Sequence, residues 1–222
     1  MAKRRRPRAR APIVEEYARL AAGYERKWSG YIEATTEQTL ARMQLRPRDR
    51  LLDVGCGTGA LLARLARTHP PDQLVGVDPV PEMLSVARRR LAGSVELREG
   101  WAERLPFEAQ QFDVVVSCNV FHYIRQPVEA LREMDRVLRP GGLLIITDWC
   151  DDYLACRLCD LYLRWFSRAH FKTYGERECA RLLQETGPAH VDIERYKINW
   201  LWGLMTARAT KSAAQPPSAI ER

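Results

Sequence analysis

The stretch Leu51-Leu52-Asp53-Val54-Gly55-Cys56-Gly57-Thr58-Gly59-Ala60 decides the fold. A short apolar run holds an Asp. Three glycines follow at alternate positions, and then Leu61-Leu62-Ala63-Arg64-Leu65-Ala66, a helical pattern. The order reads as strand, tight turn and helix N-terminus. Glycines there let the backbone turn sharply and come close to a ligand.

Outward from this turn, short apolar runs alternate with helical ones. Leu74–Val77 reads as a strand ending in Asp78, and Pro79 and Pro81 open a helix over Glu82–Leu91. Val95–Glu99 and Phe112–Ser117 are further strands, the second with the Val-Val-Val run of a strand buried on both faces. Pro127–Leu138 is a helix stopped by Pro140-Gly141-Gly142, and Leu143–Thr147 is a fifth strand ending in Asp148. Such alternation predicts a parallel sheet with right-handed crossovers. A helix over Glu176–Glu185 stops at Gly187-Pro188, and Val191–Ile198 with Leu201–Arg208 form an antiparallel hairpin.

The flanks are less regular. Ile13, Tyr17, Leu20, Ala21, Tyr24 and Trp28 recur at helical spacing, and Thr35 to Gln38 reads as a capping box opening a second helix with Leu40, Met43 and Leu45. Tyr17, Tyr24 and Trp28 have two readings, core anchors or a lid over the ligand. Residues 149–174 interrupt the rhythm with Leu154, Leu158, Leu161, Tyr162 and Trp165 on one helical face. A helix this apolar is expected to be covered on most sides, by core or by an apolar substrate. The expected organisation is a disordered basic arm at 1–12 and one domain at 13–210, with a helical cap at 13–46 and a substrate-cap insertion at 149–174. A frayed tail at 211–222 follows.

The 222 residues carry a net charge of +7, but Lys3, Arg4, Arg5, Arg6, Arg8 and Arg10 supply six of it. The body is close to neutral, so a nucleic-acid surface finds little support outside the arm. A solvated tail or an affinity for RNA or anionic membrane are the readings of the arm itself. No apolar run approaches the ~20 residues that span a bilayer, and no apolar leader precedes the domain. A cytoplasmic enzyme, monomer or homodimer, is expected. Six cysteines include Cys156-Arg-Leu-Cys159, expected to pack on a helix rather than to bind zinc.

Open α/β sheets bind ligands at the carboxyl ends of their strands, which gathers the glycines, Asp78, Asn119 and Asp148 on one edge. Gly55, Gly57 and Ala60 fit a dinucleotide fingerprint, but Asp53 would repel a pyrophosphate and attract a cationic ligand. No Gly-Lys-Ser/Thr follows, which excludes a P-loop.

In these residues the chain resembles the class I S-adenosylmethionine-dependent methyltransferases, in particular the ubiquinone/menaquinone-biosynthesis-like small-molecule group. Asp53 to Gly59 resembles their first motif and Val77-Asp78 the second. Leu105-Pro-Phe with Phe112-Asp113-Val114-Val115, and Arg136-Val-Leu-Arg-Pro-Gly-Gly142, resemble the runs into the fourth and fifth strands. The resemblance implies an α/β, Rossmann-like, seven-stranded and mostly parallel sheet with a C-terminal antiparallel hairpin and helices on both faces. It implies S-adenosylmethionine as cofactor. Asp53, Gly55, Cys56, Gly57 and Gly59 would hold its methionine end, and Asp78 with Pro79 its ribose. Met83 would pack on the adenine, Asn119 would lie near the methionine, and Tyr24 would close over it. An acid usual after the third-strand glycine is replaced by Trp101 and Ala102, where Trp101 would stack on the adenine.

Methyl transfer needs alignment, exclusion of water and, for a protonated nucleophile, a base. His122-Tyr123 after the fourth strand and Asp148 after the fifth are the candidate catalytic residues. His170 has the only second claim among the histidines. Ser117-Cys118-Asn119-Val120-Phe121 lacks the Pro-Pro-aromatic pattern of nucleobase-amine enzymes, and no cysteine stands after a proline. A small apolar or aromatic metabolite is the expected acceptor. An RNA or protein substrate guided by the arm, and a non-catalytic cofactor binder, are the alternatives.

Overall fold

The computed structural model describes residues 11–213. Seven strands form one sheet in the order β3-β2-β1-β4-β5-β7-β6. They are β1 (Leu51–Val54), β2 (Leu74–Asp78), β3 (Glu96–Glu99), β4 (Phe112–Cys118), β5 (Leu138–Trp149), β6 (His190–Lys197) and β7 (Gly203–Thr210). The first five pair in parallel, and β7 runs antiparallel between β5 and β6.

Period-two alternation splits the core into two layers. Leu52, Val54 and Val115 face one side with Phe112, Leu131, Met134 and Leu183, while Leu51, Val114 and Val116 face the other with Leu62, Leu65 and Leu84. Helices α3 (Ala60–Leu65) and α4 (Pro81–Arg90) cover the second face, and α5 (Pro127–Val137) and α7 (Glu176–Gln184) the first. The sheet edges β3 and β6 are charged and largely exposed, which discourages pairing with another chain. Entry into β5 is irregular: Leu138 pairs with Phe112, and regular register resumes at Leu143 opposite Val114. A Cβ at Gly142 would lie 2.8 Å from the Arg139 carbonyl oxygen.

The N-terminal helices break elsewhere than the sequence pattern predicts. α1 spans Pro12–Leu20 and α2 spans Tyr24–Ala41, so Thr35 lies inside α2 and caps nothing. The hydroxyls of Thr35 and Thr39 turn back onto the Ile32 and Thr35 carbonyls, the usual alternative to capping inside a helix. Thr35, Thr36 and Thr39 are the buried residues of α2, and they meet the loop after β4.

At the other end the expected tail begins too early. Lys211 exchanges backbone hydrogen bonds with Gly141 and Gly142, and its ammonium binds the Asp135 and Leu138 carbonyls. The remaining tail, and the basic arm up to residue 10, lie outside the described residues.

Helix α6 (Leu154–Phe166) buries only Cys156 and Asp160. Leu154, Leu158, Leu161, Tyr162, Trp165 and Phe166 are exposed, against the expectation of cover on most sides. The helix roofs a hollow instead of lying on packed core, so much of its apolar surface finds no partner among the described residues. No described helix is long and apolar enough to cross a membrane.

Candidate active site

Two cavities open side by side at the carboxyl ends of the central strands. The first, of about 120 Å³, is lined by the glycine turn, Asp53, the end of β2 and the N-terminal helices. Gly55 and Gly57 both adopt left-handed backbone, at φ 76° and 53°. A Cβ on Gly55 would lie 2.5 Å from the Val120 side chain, so only glycine lets the two loops touch. At Gly57 the space is open, and the backbone N–H donates to Asp78 Oδ2 at 2.9 Å. Val80 N–H donates to the other oxygen at 2.9 Å. Asp78 thus clamps the turn while its remaining lone pairs face the cavity.

This chamber is acidic and lacks a neutralising cation. Burial, reinforced by neighbouring Asp78, pushes the Asp53 carboxyl up to about 8. Burial also raises Asp78 to about 6, against the pull of its two backbone donors. Two costly carboxyls beside an open glycine backbone suit a ligand bringing positive charge and hydroxyl donors. They do not suit a polyphosphate.

Pro79, Cys56, Met83 and Tyr24 line the same chamber, as expected. Met83 also packs with Val14, Ala21 and Val80. Gly59 is the left-handed residue before α3 and is not part of the lining. Trp101 and Ala102 are not brought to it either. A tight bridge from Trp101 to Arg104 turns the indole outward, leaving it 43% exposed, and Ala102 packs on the main core.

The second cavity, of about 480 Å³, shares Tyr17, Tyr24, Asn119 and Tyr123 with the first. Trp28, Tyr31, Trp149, Tyr162 and Trp202 give it an aromatic wall. Asn119 stands between the chambers with left-handed backbone, at φ 59°. Its side chain is held on both sides: Tyr31 donates to Oδ1 at 2.7 Å, and Nδ2 donates to Thr35 at 2.9 Å. Trp149 Nε1 donates to the same Tyr31 hydroxyl. Tyr17 and Tyr123 meet through their hydroxyls at 2.5 Å. Burial pushes the Tyr123 phenol well up, so it stays neutral and is no base.

His122 lies in a 3₁₀ turn, Phe121–Tyr123, after β4, and Asp148 near the end of the adjacent β5. Parallel pairing of β4 with β5 brings them together across 26 residues. His122 Nδ1 is 2.6 Å from Asp148 Oδ1, and the carboxylate also accepts from the backbone N–H groups of His122 and Trp149. The carboxylate fixes the tautomer: Nδ1 carries the proton and Nε2 the lone pair. Trp149 stacks on the imidazole at 4.8 Å between centroids. Nε2 is buried, has no hydrogen-bond partner, and belongs to a residue of the cavity wall.

Residues 52–146 match the family model described as a methyltransferase domain. The ubiquinone/menaquinone biosynthesis C-methyltransferase UbiE of Pseudomonas putida (strain GB-1) is 33% identical over 187 residues, covering 80% of this chain and 70% of that protein. The chain belongs to the methyltransferase family. Solved structures carry the same fold at lower identity. The methyltransferase bound to the Trm112 activator of Haloferax volcanii superposes with a TM-score of 0.78 at 21% identity, over 89% of this chain and 98% of the other. A SAM-dependent methyltransferase of Thermotoga maritima gives 0.75 at 20%, over 90% and 100%.

The sequence reading of this methyltransferase missed several wall residues. Tyr31 lay on a helix assigned in pieces, and Trp202 fell in the hairpin. Asp160 sat unremarked in a polar stripe; it holds His170 Nε2 at 2.8 Å on the same cavity. Among the described residues no three His, Cys, Asp or Glu side chains are placed to hold a metal ion. The Cys156 thiol donates to the Gly203 carbonyl, and Cys159 lines the larger cavity.

Proposed function

We propose that the protein transfers a methyl group from S-adenosylmethionine to a small, largely apolar or aromatic acceptor held in the larger cavity. One observation carries this reading: an orphaned, buried Nε2 of His122 faces an aromatic chamber that adjoins an acidic one.

The first chamber fits the donor. Asp53 would meet its positive charge and Asp78 its ribose hydroxyls, with Gly55, Cys56, Gly57, Pro79, Met83 and Tyr24 around them. When bound, S-adenosylmethionine supplies an electrophilic methyl carbon whose C–S electron pair leaves with sulfur as a neutral thioether. The chain's own residues do the rest. Tyr17, Tyr24, Asn119 and Tyr123 form the passage along which donor and acceptor align, and such alignment contributes up to ~7–11 kcal/mol to methyl transfer. The aromatic wall excludes water.

His122 Nε2 takes the acceptor's proton as its electron pair moves to the methyl carbon. Asp148 stabilises the imidazolium, which releases the proton to solvent after product leaves. The Pseudomonas relative is named a C-methyltransferase, and this base suits that chemistry: deprotonating a ring hydroxyl activates a neighbouring carbon. The active form is a monomer or homodimer.

The test is to incubate the protein with methyl-labelled S-adenosylmethionine and a metabolite extract, and to read labelled products by mass. A labelled product of small apolar character is expected from wild type and not from H122N. Label appearing only in RNA or protein would overturn the assignment.

A further inference from the structure

The larger cavity holds a second histidine built on the plan of the first. His170 Nε2 lies 2.8 Å from Asp160 Oδ1, and the same oxygen accepts the Thr173 backbone N–H. The other carboxylate oxygen faces Arg164 at 3.6 Å. The backbone N–H of His170 is tied to Ser167, which in turn donates to Glu16 on α1. A carboxylate on Nε2 places the proton there and leaves a lone pair on Nδ1. That nitrogen is buried and has no partner. The ring is 5.5 Å from His122 and 6.3 Å from Trp149 between centroids.

A histidine serving the fold alone has both nitrogens satisfied or one in water. His170 has neither arrangement, on a residue that lines the chamber. Asp160 strengthens the point. It is one of two buried residues on an otherwise exposed apolar helix, and it orients this imidazole. Burial lowers the basicity of His170, with His122 adding to the effect. The ring is therefore neutral beside His122 and accepts a hydrogen bond without competing for the transferred proton.

Resting on the reading of this cavity as the acceptor site, we propose that His170, oriented by Asp160, is a second acceptor-binding residue. The methyl acceptor lies between two imidazole lone pairs and presents a polar hydrogen to each. His122 removes one hydrogen during transfer, and His170 holds the other and sets which face meets the methyl group. The acceptor class is an apolar, ring-sized frame with two hydroxyl or N–H groups.

Naphthol and the vicinal and para isomers of dihydroxynaphthalene serve as probes, titrated calorimetrically into the S-adenosylhomocysteine-loaded protein. Wild type should bind at least one dihydroxy isomer about five- to tenfold more tightly than naphthol, the worth of one buried hydrogen bond. H170Q keeps a group for Asp160 and loses the cavity-facing nitrogen, so it should bind all three alike. Equal binding of the probes by wild type, or an unchanged preference in H170Q, overturns the role of His170 and leaves the cavity's assignment standing. Binding of no probe by wild type overturns the acceptor site and this inference with it. If H170Q does not fold, imidazole nitrogen NMR of the wild type decides. The Nδ1 resonance of His170 should move with the preferred dihydroxy probe and stay with naphthol. A fixed resonance overturns the proposal.

Discussion

The two chambers share four residues yet are built on opposite principles. The smaller one is a backbone site. Its shape comes from left-handed glycines, from N–H groups clamped by Asp78 and from strand ends in parallel register. The larger one is a side-chain site, assembled from α1, α2, α6 and the loops after β4 and β5. The backbone site is tuned by uncompensated carboxyls, the side-chain site by imidazoles whose carboxylates are already engaged. A donor common to many reactions calls for the first kind of construction, and an acceptor peculiar to one enzyme for the second.

The sharpest way to break this division is His122→Asn, which can keep the bond to Asp148 while deleting Nε2. Turnover should fall about 10²–10⁴-fold, the usual contribution of a general base. Cofactor affinity, measured by calorimetry, should not change. Equal losses in both would mean that the chambers are not separable.

Asp78→Ala attacks the other side. It removes the acceptor of two backbone donors and of the ribose hydroxyls, so cofactor affinity should weaken about 100-fold or more, from two or more charge-assisted bonds. Binding of an acceptor probe in the larger cavity should persist. Unchanged cofactor affinity would remove Asp78 from the site.

Charge provides a third comparison. Asp53 is raised from an ordinary 3.8 to about 8, so near pH 7 the cofactor-free native state holds a proton that the unfolded chain has released. Stability of the cofactor-free protein should therefore fall as pH rises from about 4 through about 8, and level off above. A cationic ligand lowers that pKa, so binding near pH 7 should release up to about one proton, read from calorimetry in buffers of different ionisation enthalpy. Asp53→Asn should remove most of the release. Proton uptake would contradict the reading of this chamber.

The smallest effect concerns the wall between the chambers. Tyr31→Phe leaves Asn119 Oδ1 and Trp149 Nε1 without their partner, at a cost of about 1–3 kcal/mol in unfolding free energy. Denaturant titration should show it. No loss would mean that Asn119 is held by Thr35 alone.

The same contrast explains what the sequence made legible. Glycine spacing, Asp53 and Asp78 encode a backbone shape within a few residues, and strand alternation then fixes which ends converge. The seven-stranded order and the smaller chamber followed from that. Asp148 and His122 were legible because each falls just after a buried strand.

The larger chamber was not. Asp160 reaches His170 across the end of α6, ten residues on, where no periodicity applies. Thr35 matched a capping pattern, but its hydroxyl serves Asn119 and the helix carbonyls behind it, and the helix runs through. The outward turn of Trp101 depends on its bridge to Arg104, a local pairing that composition does not show. Apolar patterning on α6 was visible, but patterning cannot tell a covered helix from one roofing a hollow.

The central claim is that the glycine turn and its two carboxyls form a methyl-donor site rather than a dinucleotide site. Calorimetric titration of S-adenosylmethionine into the wild-type protein, with NAD as the matched control, tests it most directly. The account predicts one site for S-adenosylmethionine, with affinity on the order of micromolar as for a typical substrate, and no heat from NAD. Binding of NAD, or silence from S-adenosylmethionine, would contradict it.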